Sequence, residues 1–491
     1  MLGNYITFPE LLLWIPLVSA LVAFMINDQK KVKAWALFSS LITLGVSVAS
    51  LYYSKNFAYN NVSYEWLKYL GSSFALGMDG MGHMLTFLTA LSFPIIFLGT
   101  YKTEYKNPNA FFGLMLLSQC GLMGVFVAMD ALLFYFFWEL ALIPVYFLCS
   151  KWGGEKRIQA TFKFFIYTFT SSLLMLVGII YVYLQTGATP YSDHSFTIVA
   201  FYNAQILPKD QSWLFWLFFI AFAVKMPVFP FHTWQPDTYE QSPAPATMVL
   251  SGIMVKMGVF AVIRWVIPVL PAGVFKSENI VIGLSIAGML YASCIAMVQD
   301  DLKRIVAYSS IAHIGLMCAG IFAMNATSLQ GVMMQMLNHG INIIGLWIVV
   351  DLIEKQLGVR KLSQLGGIAL KAPSLAIFFV LMVLANMALP LTNAFIGEFT
   401  MFVGLYQYNP WYAAIALISV ILVAVYSLNM IQKVFFGNTN SLTEQVKDIS
   451  SRYKVALSAI VIFIFILGIY PKPVFNLTAE TVTGILTRLG K

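Results

Sequence analysis

The chain has 491 residues, of which 59% are hydrophobic and 10% are charged, and its formal net charge is +8. Its mean hydropathy is +0.79. Soluble globular proteins contain roughly 45 to 50% apolar residues, so this composition excludes a water-soluble globule. Apolar runs of about 20 residues, the length that crosses a bilayer as a helix, recur from end to end. The sequence therefore predicts an all-α integral membrane protein, and we expect no nucleic acid partner.

Fourteen transmembrane helices are predicted, and two of them are interrupted. They group into an N-terminal three-helix segment (1–108), a first five-helix repeat (109–266), a second five-helix repeat (267–436), and a C-terminal loop, last transmembrane helix and tail (437–491). The approximate spans are 8–26, 34–53, 79–100, 110–129, 131–150, 162–184, 213–240 (interrupted), 244–266, 279–298, 304–324, 328–353, 373–406 (interrupted), 411–434 and 454–470.

The basic residues predict the orientation of these helices. The first apolar run has no lysine or arginine before it and the cluster "DQKKVK" after it. A cleavable signal peptide has the opposite polarity, so this run is predicted to be the first transmembrane helix. With the N-terminus outside, most of the 29 lysines and arginines fall in loops on the cytoplasmic side, in agreement with the positive-inside rule.

Two predicted spans contain internal prolines. "AFAVKMPVFPFHTW" carries Pro227 and Pro230, and "NMALPLTNAFIGEF" carries Pro390 within an apolar stretch at 372–406. A straight helix of that length would measure about 52 Å, far more than the bilayer core. Proline breaks a helix because it removes a backbone donor and clashes with the preceding turn. Interrupted helices at corresponding positions of two repeats are typical of transporters with ion sites at the breaks.

Two glutamates and two lysines lie near the middle of the membrane in the predicted spans, where each costs at least about 2.5 to 3.5 kcal/mol on insertion scales. Glu139 is either a protonated carboxyl that is hydrogen-bonded into the bundle or half of an ion pair with a lysine of a neighbouring helix. Lys225 and Lys256 occupy successive helices and either titrate there or extend to the membrane surface. Glu398, after the second break, either loads a proton from an outer half-channel or caps the second half-helix.

Polar residues also line one face of the eleventh span and part of the tenth. His313 and His339 fall on these adjacent helices, and imidazole can accept a proton on one nitrogen while it donates from the other. The pattern predicts a hydrated proton wire, although the same two histidines could instead be axial ligands of a haem. The stripe comprises Gln335, Asn338, His339 and Asn342, together with Ser309 and His313.

No cofactor is predicted in this chain. Its four cysteines are scattered through apolar runs without CxxC spacing, so they imply no iron–sulfur cluster, zinc finger or disulfide framework. No phosphate-binding GxGxxG or Walker loop follows a strand. A redox function would therefore depend on other chains.

Several motifs together resemble a known family. "FFWELALIPVYFL", "AVKMPVFPFHTWQPD", "SGIMVKMG", "DLKRIVAYSSIAHIG" and "NHGINIIGLW" are similar to motifs of the proton-translocating subunits of respiratory complex I and of the related multisubunit sodium/proton antiporters. The resemblance extends over roughly residues 80 to 435. It implies inverted repeats, a bacterial inner membrane, antiporter-like neighbours, and NADH, FMN, iron–sulfur clusters and quinone on partner subunits.

The resemblance also implies roles for individual residues. Glu139 would pair with Lys225, and Lys256, His313 and His339 would relay a proton to Glu398. Most antiporter-like relatives have lysine at the second break, and the glutamate here indicates one particular member of the complex I group. The segment "WQPDTYEQSPAPA" departs from the Leu-Pro-Asp-Ala-His pattern of bacterial relatives. The alternatives are a cation/proton antiporter component that acts independently of NADH, and a bis-histidine haem protein.

Overall fold

The computed structural model describes residues 6–490, most of which are helical. Short helices at Phe57–Asn60, Ile198–Tyr202 and Ile368–Lys371 and 3₁₀ turns at Lys68–Leu70, Leu362–Gln364 and Thr443–Gln445 lie in the connections. The longer helices are α1 (Phe8–Met25), α2 (Gln29–Tyr52), α3 (Gly80–Gly99), α4 (Pro108–Val127), α5 (Ala131–Trp152), α6 (Arg157–Tyr183), α7 (Pro208–Lys225), α8 (Trp234–Gln241), α9 (Ala244–Val266), α10 (Pro271–Val298), α11 (Leu302–Phe322), α12 (Ala326–Leu357), α13 (Pro373–Asn386), α14 (Asn393–Tyr408), α15 (Pro410–Phe435), α16 (Ser451–Ile469) and α17 (Lys472–Arg488).

Twelve helices within residues 6–490 are long and apolar enough to cross a membrane, namely α1 to α6, α9 to α12, α15 and α16. The helix pairs α7–α8 and α13–α14 account for the other two predicted spans. Both interruptions and the all-α membrane class are therefore confirmed. Most boundaries agree with the predicted spans to within a few residues, but α10 begins at Pro271 rather than near 279.

The first break follows Lys225, the last residue of α7. The chain turns with hydrogen bonds from the Val228 N–H to the Ala223 carbonyl (2.9 Å) and from the Phe231 N–H to the Val228 carbonyl (2.7 Å). The indole of Trp234, at the start of α8, donates to the Val224 carbonyl (2.9 Å). These contacts bind backbone groups that the end of a helix would otherwise leave unsatisfied.

The second break joins Asn386 to Asn393 through a strained loop. Ala388 and Leu391 have left-handed backbone angles, with φ of +58° and +76°. Such conformations cost on the order of 1 to 3 kcal/mol each for residues other than glycine and persist only where the surroundings fix them. The carbonyl of Leu391 lies so close to Gly468 of α16 that a side chain there would collide with it. Close packing of α16 therefore holds this loop.

Helix α9 is continuous, as predicted, but it contains two π-helical segments. They span Leu250–Met254 and Val262–Val266. π-segments interrupt the regular hydrogen-bond ladder and often occur at functional sites. Lys256 lies just after the first one. At Gly258, a built Cβ would be only 2.7 Å from the Phe222 carbonyl oxygen, so the glycine lets α9 approach the end of α7.

Three helices form the centre of the bundle. The apolar windows of α9, α11 and α12 are completely buried, whereas more than half of each window of α1, α2, α6, α15 and α16 is not buried within the chain. The central helices carry Lys256, His313 and His339. The packing thus places these three side chains far from the lipid-facing perimeter.

Two elements were not predicted. An antiparallel hairpin pairs β1 (Asn61–Leu67) with β2 (Ser72–Gly77) around Gly71, whose φ is +64°. Residues 472–488, interpreted from the sequence as a tail, form the amphipathic helix α17. Long apolar runs are the sequence signal of a transmembrane helix, and neither a short alternating hairpin nor a half-polar helix contains one. Both elements lie on the face where α1 begins, which we call the N-terminal face.

Candidate functional site

A lysine and a histidine are in direct contact at the centre of the bundle. Lys256 Nζ lies 2.7 Å from His339 Nδ1 and donates to the carbonyl oxygen of Ser251, also at 2.7 Å. Ser251 belongs to the first π-segment of α9, so the altered ladder presents its carbonyl to the lysine. Both side chains are almost completely buried. A buried ammonium with hydrogen-bond acceptors can hold a proton or pass it to the adjoining imidazole.

A histidine and a carboxylate form a second contact. His313 Nδ1 lies 2.8 Å from Glu398 Oε1, and Gln335 Nε2 donates to the same oxygen at 3.0 Å. Glu398 is in the second turn of α14, after the second break. Only 4% of the His313 side chain and 11% of the Glu398 side chain are exposed.

The two contacts meet through the histidines. The ring centroids of His313 and His339 are 5.5 Å apart. Each Nδ1 atom engages Glu398 or Lys256, and each Nε2 atom is buried without a hydrogen-bond partner among residues 6–490. The four residues therefore form one line from Lys256 to Glu398. The structure brings together four of the six residues singled out in the sequence.

The other two residues, Glu139 and Lys225, do not form a contact ion pair. Glu139 Oε1 and Lys225 Nζ are both buried, and neither has a hydrogen-bond partner in the described part of the chain. The ammonium instead lies 5.5 Å from the ring centroid of Trp138 and 5.9 Å from that of Phe164, within the range of cation–π attraction. Glu139 interacts with Ser172 of α6 and, through space, with Lys225. Their predicted pairing is thus a longer-range electrostatic coupling in this conformation.

Two buried side chains beside the first break were missed by sequence reasoning. Gln235 and Tyr239 lie one turn apart on α8 and have no solvent exposure. The two side chains interact with each other, but no other described residue gives a hydrogen-bond partner to the amide atoms of Gln235 or to the hydroxyl of Tyr239. The spacing of four residues in "WQPDTYEQ" was the available signal, since it puts both polar groups on one face of a short helix.

The polar stripe of α12 divides into two roles. Gln335 contacts Glu398, but Asn342 and Asn393 exchange two side-chain hydrogen bonds of 2.9 and 3.1 Å. Asn338 Nδ2 donates to the Asn393 carbonyl at 2.6 Å. The two asparagines predicted as part of a proton wire therefore fasten the start of α14 to α12.

Ser309, also predicted in the wire, lies in a separate cluster. Its hydroxyl oxygen accepts hydrogen bonds from Asn386 Nδ2 (2.9 Å) and from the Tyr426 hydroxyl (2.8 Å). Asn386 is the last residue of α13, and Tyr426 lies on α15. The cluster thus connects α11 with the first half of the second interrupted helix.

An ion-pair network lies at the end of the bundle away from the N-terminal face. We call this end the opposite face. Arg304 of α11 pairs with Asp237 (3.2 Å) and Glu240 (2.9 Å) of α8, and Arg360 pairs with Glu240 (2.6 Å) and with Asp301. Burial alone would lower the pKa of Arg360, but the facing carboxylates, Asp301 foremost, outweigh burial and raise it. The network holds α8 against α11 and the loop after α12.

The described residues contain no group of three or more histidine, cysteine or acidic side chains that could hold a metal ion. All four cysteines lack disulfide partners, and three of them are buried. The carboxylate, ammonium and imidazole groups that lie in contact at the centre of the bundle are groups that can exchange protons.

Comparisons with known proteins identify the chains that this one is similar to. The family model described as "NADH:quinone oxidoreductase/Mrp antiporter, TM" matches residues 128–423. NADH-quinone oxidoreductase subunit M of Rickettsia typhi is 34% identical over 97% of this chain and 98% of its own length. F(420)H(2) dehydrogenase subunit M of Methanosarcina mazei is 33% identical over 98% of this chain and 99% of its own.

A solved structure extends the likeness to three dimensions. A chain of respiratory complex I from Thermus thermophilus superposes with a TM-score of 0.90 at 26% identity, covering 98% of this chain and 99% of that one. The resemblance indicated by the sequence motifs is confirmed over nearly the whole length. The chain belongs to the family of membrane subunits shared by NADH:quinone oxidoreductases and Mrp antiporters.

Proposed function

We propose that this chain translocates protons as the subunit M-type membrane component of an NADH-quinone oxidoreductase, driven by electron transfer on partner subunits. The observation that carries this proposal is the buried line from Lys256 through His339 and His313 to Glu398. NADH, FMN, iron–sulfur clusters and quinone would be bound by those partners. The proposal is supported by the similarity to subunit M of NADH-quinone oxidoreductases over nearly the whole chain.

Translocation begins with the coupling between Glu139 and Lys225. To offset its burial, the Lys225 ammonium has aromatic faces and the through-space attraction of Glu139, but no hydrogen-bond acceptor among residues 6–490. When Glu139 takes up a proton or moves away, that attraction disappears. Lys225 then releases its proton toward Lys256, because a buried cation without a counter-charge is costly.

The remaining steps follow the central line. Lys256 Nζ passes a proton to His339 Nδ1, and transfer between the two histidine rings brings it to His313. His313 Nδ1 delivers it to Glu398 Oε1 beside the second break. Imidazole suits this role because one ring nitrogen can accept a proton while the other releases one.

The two predicted repeats would each supply half of the route. The first, 109–266, contains Glu139, Lys225 and Lys256, and the second, 267–436, contains both histidines and Glu398. The N-terminal face would be periplasmic and the opposite face cytoplasmic, in a bacterial inner membrane. The neighbours would be the antiporter-like subunits L and N, with contact to the peripheral redox arm only through other subunits.

Glu398→Gln tests the relay, because glutamine keeps the shape and hydrogen-bonding capacity of the side chain but cannot carry the proton. In inverted membrane vesicles, we expect NADH-driven acidification to fall about 100-fold or more while the complex still assembles. Glu444→Gln is the matched control, since Glu444 lies in an exposed loop, and it should leave acidification unchanged. Near-normal pumping by Glu398→Gln would refute the relay.

A second candidate is a subunit of a multisubunit cation/proton antiporter. The matching family model covers both kinds of complex, which favours this candidate directly. Purification of the native assembly separates the two. Co-purifying flavin and iron–sulfur clusters indicate the oxidoreductase, small membrane partners alone indicate the antiporter, and a Soret band would indicate the haem protein considered from the sequence.

A further inference from the structure

A polar cavity opens on the N-terminal face, away from the central line. Its volume is about 510 Å³, and it lies between the end of α2, the start of α3, the end of α9 and the helix α17. The side chains that matter for its chemistry are Lys55, Asp79, His83, Arg264, Glu480 and Arg488. None of them belongs to the proposed proton route.

The charges in this cavity are not balanced. Arg264 is neutralised by Asp79 at 2.6 Å. Lys55 and Arg488 form no ion pair within residues 6–490, and Arg488 instead lies 4.3 Å from the ring centroid of Tyr202. Among residues 6–490, Glu480 is the one remaining carboxylate on the lining. The cavity therefore carries surplus positive charge.

Two buried side chains on the lining have unpartnered polar atoms. His83 is 1% exposed, and its Nε2 atom has no hydrogen-bond partner in the described chain. The side chain of Arg264 is 10% exposed, and its Nε–H likewise has no acceptor. Arginine only donates hydrogen bonds, so the group that it lacks is an oxygen-type acceptor. Surplus positive charge and a buried donor together fit an anion that carries several oxygens.

A cleft of aromatic side chains continues from the cavity. Lys55 and Phe57 line both spaces, and Tyr52, Tyr53, Asn56 and Ala58 line the rest of the cleft. Tyr52 is 83% exposed and Phe57 is 72% exposed. Aromatic rings at the end of a transmembrane helix are characteristic of the membrane–water boundary. A ligand that fills both spaces would have an anionic head and an apolar body.

We propose that this cavity binds the phosphate group of an anionic phospholipid, with its acyl chains lying along Tyr52 and Phe57. Arg488 and Lys55 attract the phosphate from the open side, and the residues Arg264 and His83 line the deeper part of the cavity. The phosphate chemistry would also suit inorganic phosphate. The aromatic cleft favours the lipid, because a free anion makes no use of it.

The test uses the assembled, delipidated complex and two variants that are far from the proton relay. Lys55→Gln/Arg488→Gln removes the two unpaired cations, and Lys472→Gln removes an exposed charge from the other end of α17 as the control. Binding of phosphatidylglycerol, phosphatidylcholine and inorganic phosphate is titrated by native mass spectrometry or calorimetry. Each basic residue near an anionic lipid contributes a factor of about 5, so the double variant should bind phosphatidylglycerol about 25-fold more weakly.

The proposal requires that Lys472→Gln binds phosphatidylglycerol like the unmodified complex and that phosphatidylcholine binds poorly to all forms. Equal phosphatidylglycerol affinity of the double variant and the control would overturn it. Tight binding of inorganic phosphate that depends on Lys55 and Arg488, without lipid binding, would overturn the lipid assignment in favour of a soluble anion. The readout is binding, so it does not depend on whether the chain pumps protons.

Discussion

The two helix breaks contain opposite kinds of ionisable site. At the first break, Lys225 is buried without a hydrogen-bond partner among residues 6–490 and is surrounded by aromatic rings. At the second, Glu398 contacts His313 and Gln335, and Asn393 fixes the start of its helix. A buried charge without a close partner is energetically costly, whereas a hydrogen-bonded one is stabilised. In the proposed route, the first break would therefore release a proton and the second would receive one at a fixed position.

The largest expected effect is the loss of proton pumping when Lys225, at the first break, is replaced; the stability of the fold should not fall with it. Lys225→Met should lower proton pumping about 100-fold or more, because a titratable group is lost from the route. The thermal unfolding midpoint of the purified complex should stay the same or rise, since the substitution breaks no hydrogen bond of this lysine and removes an unpartnered buried cation.

Lys256→Met is the matched comparison for that variant. It removes the hydrogen bonds to Ser251 and His339 and should destabilise the chain by about 1.5 to 3 kcal/mol, as expected for bonds to a charged group. Its unfolding midpoint should therefore fall, whereas that of Lys225→Met should not. Equal destabilisation by the two substitutions would contradict the difference between the lysines.

An intermediate effect is expected at the second break. Asn342→Ala and Asn393→Ala should each destabilise the chain by about 1 to 3 kcal/mol, because each leaves the other amide without its partner. In a double-mutant cycle measured by thermal unfolding, we expect a coupling of about 0.5 to 3 kcal/mol. Asn61→Ala, in the hairpin, is the control and should be additive with Asn342→Ala. If the destabilisations by Asn342→Ala and Asn393→Ala were additive, the contact between the two amides would not be what holds α14.

The smallest effect concerns the entrance to α13, the first half of the second interrupted helix. Asp448 accepts hydrogen bonds from the Ser374 and Leu375 N–H groups at that helix start. Burial alone would raise the pKa of Asp448, but hydrogen bonds from the Ser374 side chain, from the Ile449 N–H and from the N–H groups of Leu375 and Ser374 outweigh burial and lower it. A lowered carboxyl pKa stabilises the fold above the unfolded value of roughly 3.9, and this contribution disappears as the pH falls through the folded pKa.

Asp448→Asn should therefore lower the unfolding midpoint slightly at pH 7, by an amount equivalent to about 0.3 to 1 kcal/mol for a charge at a helix N-terminus. The difference in unfolding midpoint between this variant and the unmodified chain should persist down to about pH 5 and become smaller below about pH 4. Asp193→Asn, at an exposed loop position, should show no such difference. If the difference in unfolding midpoint became larger as the pH fell, the ionised Asp448 carboxylate would not be what stabilises the start of α13.

The sequence identified those candidate site residues and breaks whose residue type is unusual inside an apolar membrane span. Lys256, His339 and Glu398 were recognised because ionisable groups are costly in an apolar span, and both breaks were recognised from proline. Gln235 and Tyr239 were missed because uncharged polar residues in a short half-helix resemble a loop. Asn393 was missed because its partner, Asn342, lies on another helix about 50 residues away in the chain.

By itself, the sequence determined the membrane class, the number of spans, the breaks and the family, because bilayer thickness, proline geometry and linear motifs all act locally along the chain. Tertiary structure decided which side chains touch. It joined Lys256 to His339 and His313 to Glu398, and it folded α17 over the cavity of the N-terminal face. It left Lys225 without a hydrogen-bond partner among residues 6–490. Such contacts depend on how helices that are distant in sequence rotate and pack against one another, which helix periodicity alone leaves open.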